Sequence, residues 1–327
     1  MNLLRRKFLH LAAGAAALPA VPCVARAQTY PTRPITIIVP FVPGGSTDAI
    51  GRILAQRLRS SLGQPVIIEN VGGAGGTIGV GRVARAAPDG YTIDIGQTST
   101  HVVNGAAYSL EYDLLKDFEP VSLVSSNPLL ILAKKAMPAD NLKELVVWLK
   151  ANPDKATQGI PGPDQQAVGL LFQKATGTQF QFVPYRGGAQ IMQDIVAGHI
   201  DLIITQAALA LPQVRARAVK AYAVMAKARM PAAPDIPTVD EAGVPGLYAS
   251  GWFGVFAPKG TPKAVISTLN AAIVEALADP MVRSRFADIG QDIFPREQQT
   301  PEALAALQKT EIEKWWPIIK AANLKGQ

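Results

Sequence analysis

Cysteine is almost missing from this chain. Its single cysteine, Cys23, lies within the first 27 residues. Past that point no disulfide, thiol nucleophile or thiolate metal site can form. Histidine is nearly as scarce. Beyond residue 27 there are only His101 and His199. Neither has Asp or Glu beside it at the helical or hairpin spacing of metal sites, so no metal is expected. The nucleophile pattern G-x-S-x-G is absent. No context assembles the serines and aspartates into a triad, and no one pair of carboxylates stands out as acid and base. Basic runs are also missing past residue 27. The net charge is +7, but Arg5, Arg6, Lys7 and Arg26 carry four of those charges and the remaining 300 residues only +3. So mild and even a charge argues against nucleic-acid binding. Aromatics are sparse at 6%, whereas 28 Gly and 26 Pro suit α/β units joined by short turns. At 327 residues and 48% hydrophobic, the chain is globular and long enough for one large domain or two medium ones.

The first 27 residues read as an export signal. Arg5-Arg6-Lys7-Phe8-Leu9 is a charged start with a twin arginine, and Leu11 to Val21 is a short apolar core. Ala25-Arg26-Ala27 offers small residues for cleavage after Ala27, which leaves Gln28 as the mature start and the periplasm as the destination. The core is shorter than the roughly 20 residues of a membrane span. The pattern resembles a twin-arginine signal but has Leu4 where a polar residue is usual, so the general secretory route stays open. Ala20-Val21-Pro22 before Cys23 is a poor lipobox, and no lipid anchor is expected.

The mature chain is organised around Val39 to Asp48. Ile35–Val39 reads as a strand and Thr47–Leu62 as a helix whose apolar residues share one face. Between them Pro43 stiffens a turn, Gly44 and Gly45 allow close backbone approach, and Ser46 or Thr47 can cap the helix. Amides at such a helix start suit a carboxylate or phosphate. The plain alternative is a βα turn with nothing bound. Strand alternates with helix through Val66–Glu69, a helical run to Ala87 and Tyr91–Gly96. This implies a parallel sheet covered on both faces, with a ligand crevice at the carboxyl ends of its strands. Gln97-Thr98-Ser99-Thr100-His101 lies at such an end. Val121–Val124 and Leu129–Lys134 are expected as two extended segments separated by Ser125-Ser126-Asn127-Pro128.

A second α/β series follows. It comprises a helix Leu142–Lys150 capped by Asp140 or Asn141, a strand Thr157–Ile160 and a helix Gln165–Ala175. After these come a strand Phe180–Val183, a helix Ala189–Ala197, and strands Leu202–Thr205 and Val219–Met225. Trp252–Phe256 is extended again. The last third is helical, with capping residues before proline at Thr261-Pro262, Asp279-Pro280 and Thr300-Pro301.

Tyr185-Arg186-Gly187-Gly188 is a second glycine turn of the same kind. Arg186 is either an ordinary surface arginine or a planar fork for a carboxylate beside a second helix start. The Gly73–Gly79 pattern is G-x-G-x-x-x-G, not a dinucleotide fingerprint, and reads as a tight turn with close helix–strand packing. Asp48 reads more simply as a first-turn acid than as a partner for a ligand amine. Asp164 suits an N-cap, yet its loop can also reach the cleft, where a carboxylate would repel an acid. His199 reads as structural. His101 is either structural or part of the cleft lining.

Pro40 to Asp48, Gly72 to Gly79, Pro88-Asp89-Gly90-Tyr91, Val183 to Gly188, Pro234 to Gly243, Trp252-Phe253-Gly254 and Ala257 to Pro262 occur in this order. As an ordered set they resemble the Bug family of periplasmic solute-binding proteins, the receptors of tripartite tricarboxylate transporters. The resemblance spans nearly all of the mature chain. It implies a two-lobed α/β fold of the periplasmic-binding-protein class, a type II-like Venus flytrap with two crossover hinge strands. Residues 28–127 and 249–327 would form lobe 1, and residues 128–248 lobe 2. One small carboxylate (a dicarboxylate, amino acid or aromatic acid) would bind between the lobes. The chain would then be a monomer without cofactor or enzymatic activity, not membrane-embedded, that presents its ligand to a membrane permease. The site residues implied are Phe41, Gly44, Gly45, Ser46, Thr47, Asp48, Thr98 and Ser99 on lobe 1. On lobe 2 they are Gly162, Asp164, Gln165, Tyr185, Arg186, Gly187, Gly188 and Gln206. The chain departs from the family pattern at Pro161 to Gln166, where Gly and Ser are usual. It departs again at Thr205-Gln206, where an acid or asparagine is usual, and at Asn104-Gly105, where proline is usual. Two rival readings are an exported cofactor-dependent oxidoreductase using Gly73–Gly79 and a ligand-sensing subunit of a signalling system. A co-purifying chromophore, or a docking partner other than a permease, separates these from transport.

Overall fold

A computed structural model describes residues 30–326. The expected export signal, its cleavage position and Cys23 lie outside the described residues. The first βαβ unit is β1 (Ile35–Val39), α1 (Ser46–Leu62) and β2 (Val66–Asn70). α2 (Thr77–Ala84) then leads to β3 (Thr92–Gln97), and a π-helical turn, Ser99–Val103, runs into the short α3 (Asn104–Ala107). β1 pairs in parallel with both β2 and β3. Four of its five residues are buried, so its unbroken apolar run fits a central strand covered on both faces.

The next element is one strand where the sequence suggests two. β4 runs unbroken from Phe118 to Lys134. Ser125-Ser126-Asn127-Pro128, expected as a separator, is extended inside it. Neighbours on both sides supply the ladder that local propensity does not. β9 (Ser250–Pro258) pairs antiparallel with the first part of β4, Phe118 to Pro128, and β10 (Asp292–Ile293) pairs with Ser125 and Ser126. Pro128 has no N–H to give, and it is tolerated because it faces Ser250, the last pair of that ladder. From Leu129 onward β4 pairs instead with β7 (Leu202–Gln206) and β8 (Val219–Val224).

Between those strands the chain forms α4 (Leu142–Ala151), β5 (Thr157–Ile160), α5 (Pro163–Thr176), β6 (Gln181–Pro184) and α6 (Gly188–Ala197). β5 pairs in parallel with β6 and β7. α7 (Ala207–Arg215) follows β7 directly. The sequence reading has no helix there, because Pro212 sits inside it and breaks the pattern. After β9 come α8 (Lys263–Ala278), α9 (Pro280–Asp288) and α10 (Pro301–Ala321). Asp279 and Thr300 cap α9 and α10 as expected. Thr261 does not cap α8. Its hydroxyl donates to the Pro258 carbonyl, and the helix starts beyond Pro262.

The sheet order is β2-β1-β3-β9-β4-β7-β5-β6, with β4 as its spine. α10 lies along β4 and buries Leu304, Ile312, Trp315 and Ile319. α1 packs on α8 and α9. At the far end Leu130, Leu132, Ile191, Ile195, Ile203 and Leu211 form a second core. Removing side chains this size from water supplies about 2 kcal/mol each. Both cores therefore hold the strand ends firmly around the space between them.

Candidate functional site

A cleft of about 830 Å³ opens where the β1–β3 end of the sheet faces the β5–β7 end. From the β1 side Phe41, Gly45, Ser46 and Thr47 line it. Gly44 and Asp48 stand behind this wall. The Gly44 amide donates to Asp48 Oδ2 at 3.0 Å, and the same oxygen accepts from Arg52 Nε at 3.0 Å. Asp48 Oδ1 accepts from Asn70 Nδ2 at 3.0 Å. Burial alone would raise this carboxyl, but Arg52, the Gly44 amide and Asn70 outweigh it and hold it below the ordinary value. Asp48 is thus a brace for the turn. Gly44, at φ +91°, makes the positive-φ bend that presents its N–H to that brace.

Neither Ser46 nor Thr47 caps α1. Gly45 is its N-cap and no side chain bonds to its first amides. Thr47 instead donates to Gln97 Oε1 at 3.2 Å, and Gln97 Nε2 donates to Ser99 Oγ at 2.8 Å. This chain links the α1 start to the β3 end. Ser99 lines the cleft, whereas Thr98 lies beneath it and accepts from the Trp252 amide at 3.1 Å.

Gly162, Asp164 and Gln165 line the opposite wall. α5 begins earlier than its pattern suggests, at Pro163 after the N-cap Gly162, so Asp164 sits in the first turn and not at the cap. Desolvation pushes the Asp164 carboxyl up to about 6, partly offset by the Gln165 and Asp164 amides and the Gln165 side chain. Tyr185, Arg186, Gly187, Gly188 and Gln206 complete this side. Tyr185 OH donates to Asp194 Oδ2 at 2.5 Å, and burial together with that partner pushes the phenol up to about 12. Arg186 is exposed at the rim and forms no ion pair among the described residues. Gly187 is the N-cap of α6, again without a side-chain cap.

Several cleft residues escaped the sequence reading. The Gly72–Gly76 loop forms part of the wall, and Gly76 is the uncapped start of α2. Packing explains Gly79, the last glycine of the Gly73–Gly79 pattern, which lies inside α2. A Cβ on Gly79 would meet the Val71 carbonyl at 2.7 Å. Asn104, Tyr108 and Lys325 also line the cleft. Asn104 was visible as an oddity of pattern, but nothing in the sequence brings Lys325 here. His101 is not in the cleft. It is fully buried, stacks on Phe256 at 4.0 Å, and burial pushes it down to about 3. Asp94 lies 3.7 Å away, equally buried and pushed well up for the same reason. Among the described residues no group of three His, Cys, Asp or Glu is placed to hold a metal.

Two α/β halves threaded by long strands, with one cleft walled by helix starts, define the two-lobed periplasmic-binding-protein fold. Comparison with known proteins agrees. The chain belongs to the tripartite tricarboxylate transporter family of receptors (TctC), whose model matches residues 50–324. It is 36% identical to protein BugT of Bordetella pertussis over 303 residues, covering 91% of this chain and 92% of that one. The solved periplasmic binding protein BugD is 38% identical with a TM-score of 0.85, covering 91% of this chain and 100% of its own. MatC of Rhodopseudomonas palustris, solved with bound malate, is 38% identical with a TM-score of 0.83, covering 89% of this chain and 100% of its own.

Proposed function

We propose that this protein is a periplasmic receptor that captures a small carboxylate and hands it to the membrane permease of a tripartite tricarboxylate-type transporter. The observation that carries this reading is the pair of uncapped helix starts, Gly45 of α1 and Gly187 of α6, on one cleft with Arg186 at its rim. First-turn amides have no partner inside their helix, and the helix dipole favours negative charge there. An anion between the two starts satisfies both, and Arg186 adds a forked donor. The malate held by MatC is a ligand of this chemical type.

Residues 28–127 with 249–327 form lobe 1 in this reading and residues 128–248 form lobe 2. The change of β4 partners at Pro128–Leu129 and the start of β9 at Ser250 support those boundaries. The lobes close because a ligand touching both favours the closed state. No chemistry follows. The ligand leaves as it came, and the monomer's closed surface is what the permease reads. The test is a thermal-shift and calorimetric titration of the purified mature protein with malate, succinate, adipate, glutamate and benzoate. Micromolar binding of at least one, with a rise in melting temperature that grows with ligand concentration, is expected. Flat titrations throughout would sink the reading.

A further inference from the structure

Lys325 is a cleft residue that neither glycine turn explains. It lies just past α10, where the chain turns back on two hydrogen bonds. The Asn323 amide donates to the Lys320 carbonyl at 3.1 Å, and the Leu324 amide donates to the Ile319 carbonyl at 3.0 Å, with Asn323 at φ +49°. This is the Schellman pattern, in which a left-handed residue turns the chain off a helix and the apolar residue after it packs back. Leu324 is that apolar residue, buried in the same core as Ile319. On the other side of Lys325, the Gly326 amide donates to the Ala107 carbonyl at 2.9 Å. A Cβ on Gly326 would overlap the Tyr108 ring, so only glycine can sit there. α10 itself is drawn against α3 at Gly105, where the family pattern has proline. A Cβ on Gly105 would meet the Trp316 ring at 2.6 Å, and Trp316 Nε1 donates to the Val102 carbonyl at 2.8 Å. The short arm Leu324–Gly326 is thus pinned on both sides of Lys325.

Among the described residues the cleft lining holds three charged side chains, Asp164, Arg186 and Lys325. Asp164 and Arg186 belong to one wall. Lys325 stands on the other, beside Asn104 and Tyr108, and forms no ion pair among the described residues. Resting on the carboxylate-receptor reading, we propose that Lys325 is a ligand-contacting residue held in place by the Leu324–Gly326 arm. Its ammonium meets the bound acid from the β1–β3 wall, as Arg186 does from the wall opposite. The β1–β3 wall then has a cation of its own to draw an anion in before the other wall closes on it. An ammonium on a flexible stem also adjusts to acids of different shape, which the fixed amides of a helix start cannot do.

The experiment is calorimetry of the mature protein with malate, succinate, adipate, glutamate and benzoate, comparing wild type with variants of the arm. For each acid that binds, Lys325→Gln should weaken binding about tenfold and Lys325→Glu about 100-fold, whereas Lys325→Arg should stay within about threefold. Added salt should cost wild type more affinity than it costs Lys325→Gln, because the variant has no charge pair left to screen on this wall. A merely structural lysine would give neither that order nor that salt dependence. Gly326→Ala keeps the lysine but displaces the arm from Tyr108. It should lose about as much as Lys325→Gln, and the double variant no more than either alone. Thermal melts without ligand check that each variant is folded. Binding within about twofold of wild type in both Lys325→Gln and Lys325→Glu overturns the contact. Wild-type binding by Gly326→Ala, or a loss that adds in full to that of Lys325→Gln, overturns the arm's part in it. Either result leaves the receptor reading standing, whereas failure of every acid to bind wild type overturns both.

Discussion

The helices that begin at the cleft differ from those that begin away from it. α4, α9 and α10 start far from the cleft, and each has its own side-chain cap. Asn141 accepts from the Glu144 amide, Asp279 from Met281 and Val282, and Thr300 from Ala303. α1, α2, α5, α6 and α7 start at the cleft behind Gly45, Gly76, Gly162, Gly187 and Gln206, and none of these caps with a side chain. α8, which starts elsewhere after Pro262, is the one long helix outside the cleft that shares this lack. A cap stabilises a helix by about 1 kcal/mol. Around the cleft that gain is forgone and the amides stay open. α5 is the exception within the cleft, because the Asp164 carboxylate reaches its own first-turn amides.

The largest expected effect comes from giving a cleft helix the cap it lacks. Gly45 and Gly187 have extended backbones outside the left-handed region, and a Cβ meets nothing closer than 3.8 Å at either. Gly45→Asp or Gly187→Asp should therefore keep unliganded stability within about 0.5 kcal/mol while weakening acid binding roughly 100-fold, since the new carboxylate takes the amides and repels the ligand. Calorimetry and thermal melts read the two halves of this prediction. Unaltered binding in both variants would place the anion elsewhere.

Two first-turn acids sharpen the contrast. Asp48→Ala strips partners from Gly44, Arg52 and Asn70 and should cost about 2–3 kcal/mol in a urea melt. Asp164→Ala, which breaks no ion pair, should stay within about 1 kcal/mol of wild type. Equal losses would erase the distinction between brace and cleft group.

Their pH dependences should run in opposite directions. Asp164 titrates at about 6 when folded, above its ordinary value, so its contribution to folding is full below that ordinary value and is lost as pH rises through about 6. Asp164→Asn should gain about 1–2 kcal/mol on wild type between pH 4 and 7, less than an unscreened shift implies because the group is part-exposed. Asp48 is held below its ordinary value, so its contribution is present at neutral pH and is lost as pH falls below the carboxylate range. The deficit of Asp48→Asn should shrink toward pH 3. Melts of both variants across pH 3–8 check the two signs. The smallest effect is Thr300→Ala, about 1 kcal/mol from a lost cap, with the ligand-induced rise in melting temperature intact.

Much of this was legible in the sequence because it is local. β1, β2, β5 and the helices around Ile50, Leu145 and Ile195 follow from apolar spacing. The two glycine turns lie on the two opposite walls of the cleft. What failed to show was decided by neighbours distant in the chain. Asn127-Pro128 reads as a break until β7 to β10 pair with the flanking residues. α7 hides behind Pro212. Thr47 looks like a cap but is drawn to Gln97, fifty positions away. His101 sits at a strand end in the sequence, yet Phe256 and Asp94 draw it into the core.

The sequence by itself determined the type of most elements and the presence of two glycine-started helices, because backbone freedom and apolar periodicity act within a few residues. Only the tertiary structure decided which carboxylate braces and which faces the cleft. Asp48 and Asp164 are the same residue type, each in the first turn of a helix that starts at the cleft. Arg52 is one turn from Asp48, but Asn70 reaches it only through the β1–β2 pairing, while among the described residues no ion pair forms with Asp164. A carboxylate's charge and role depend on what solvates it, and that is set by atoms the chain brings together only when folded.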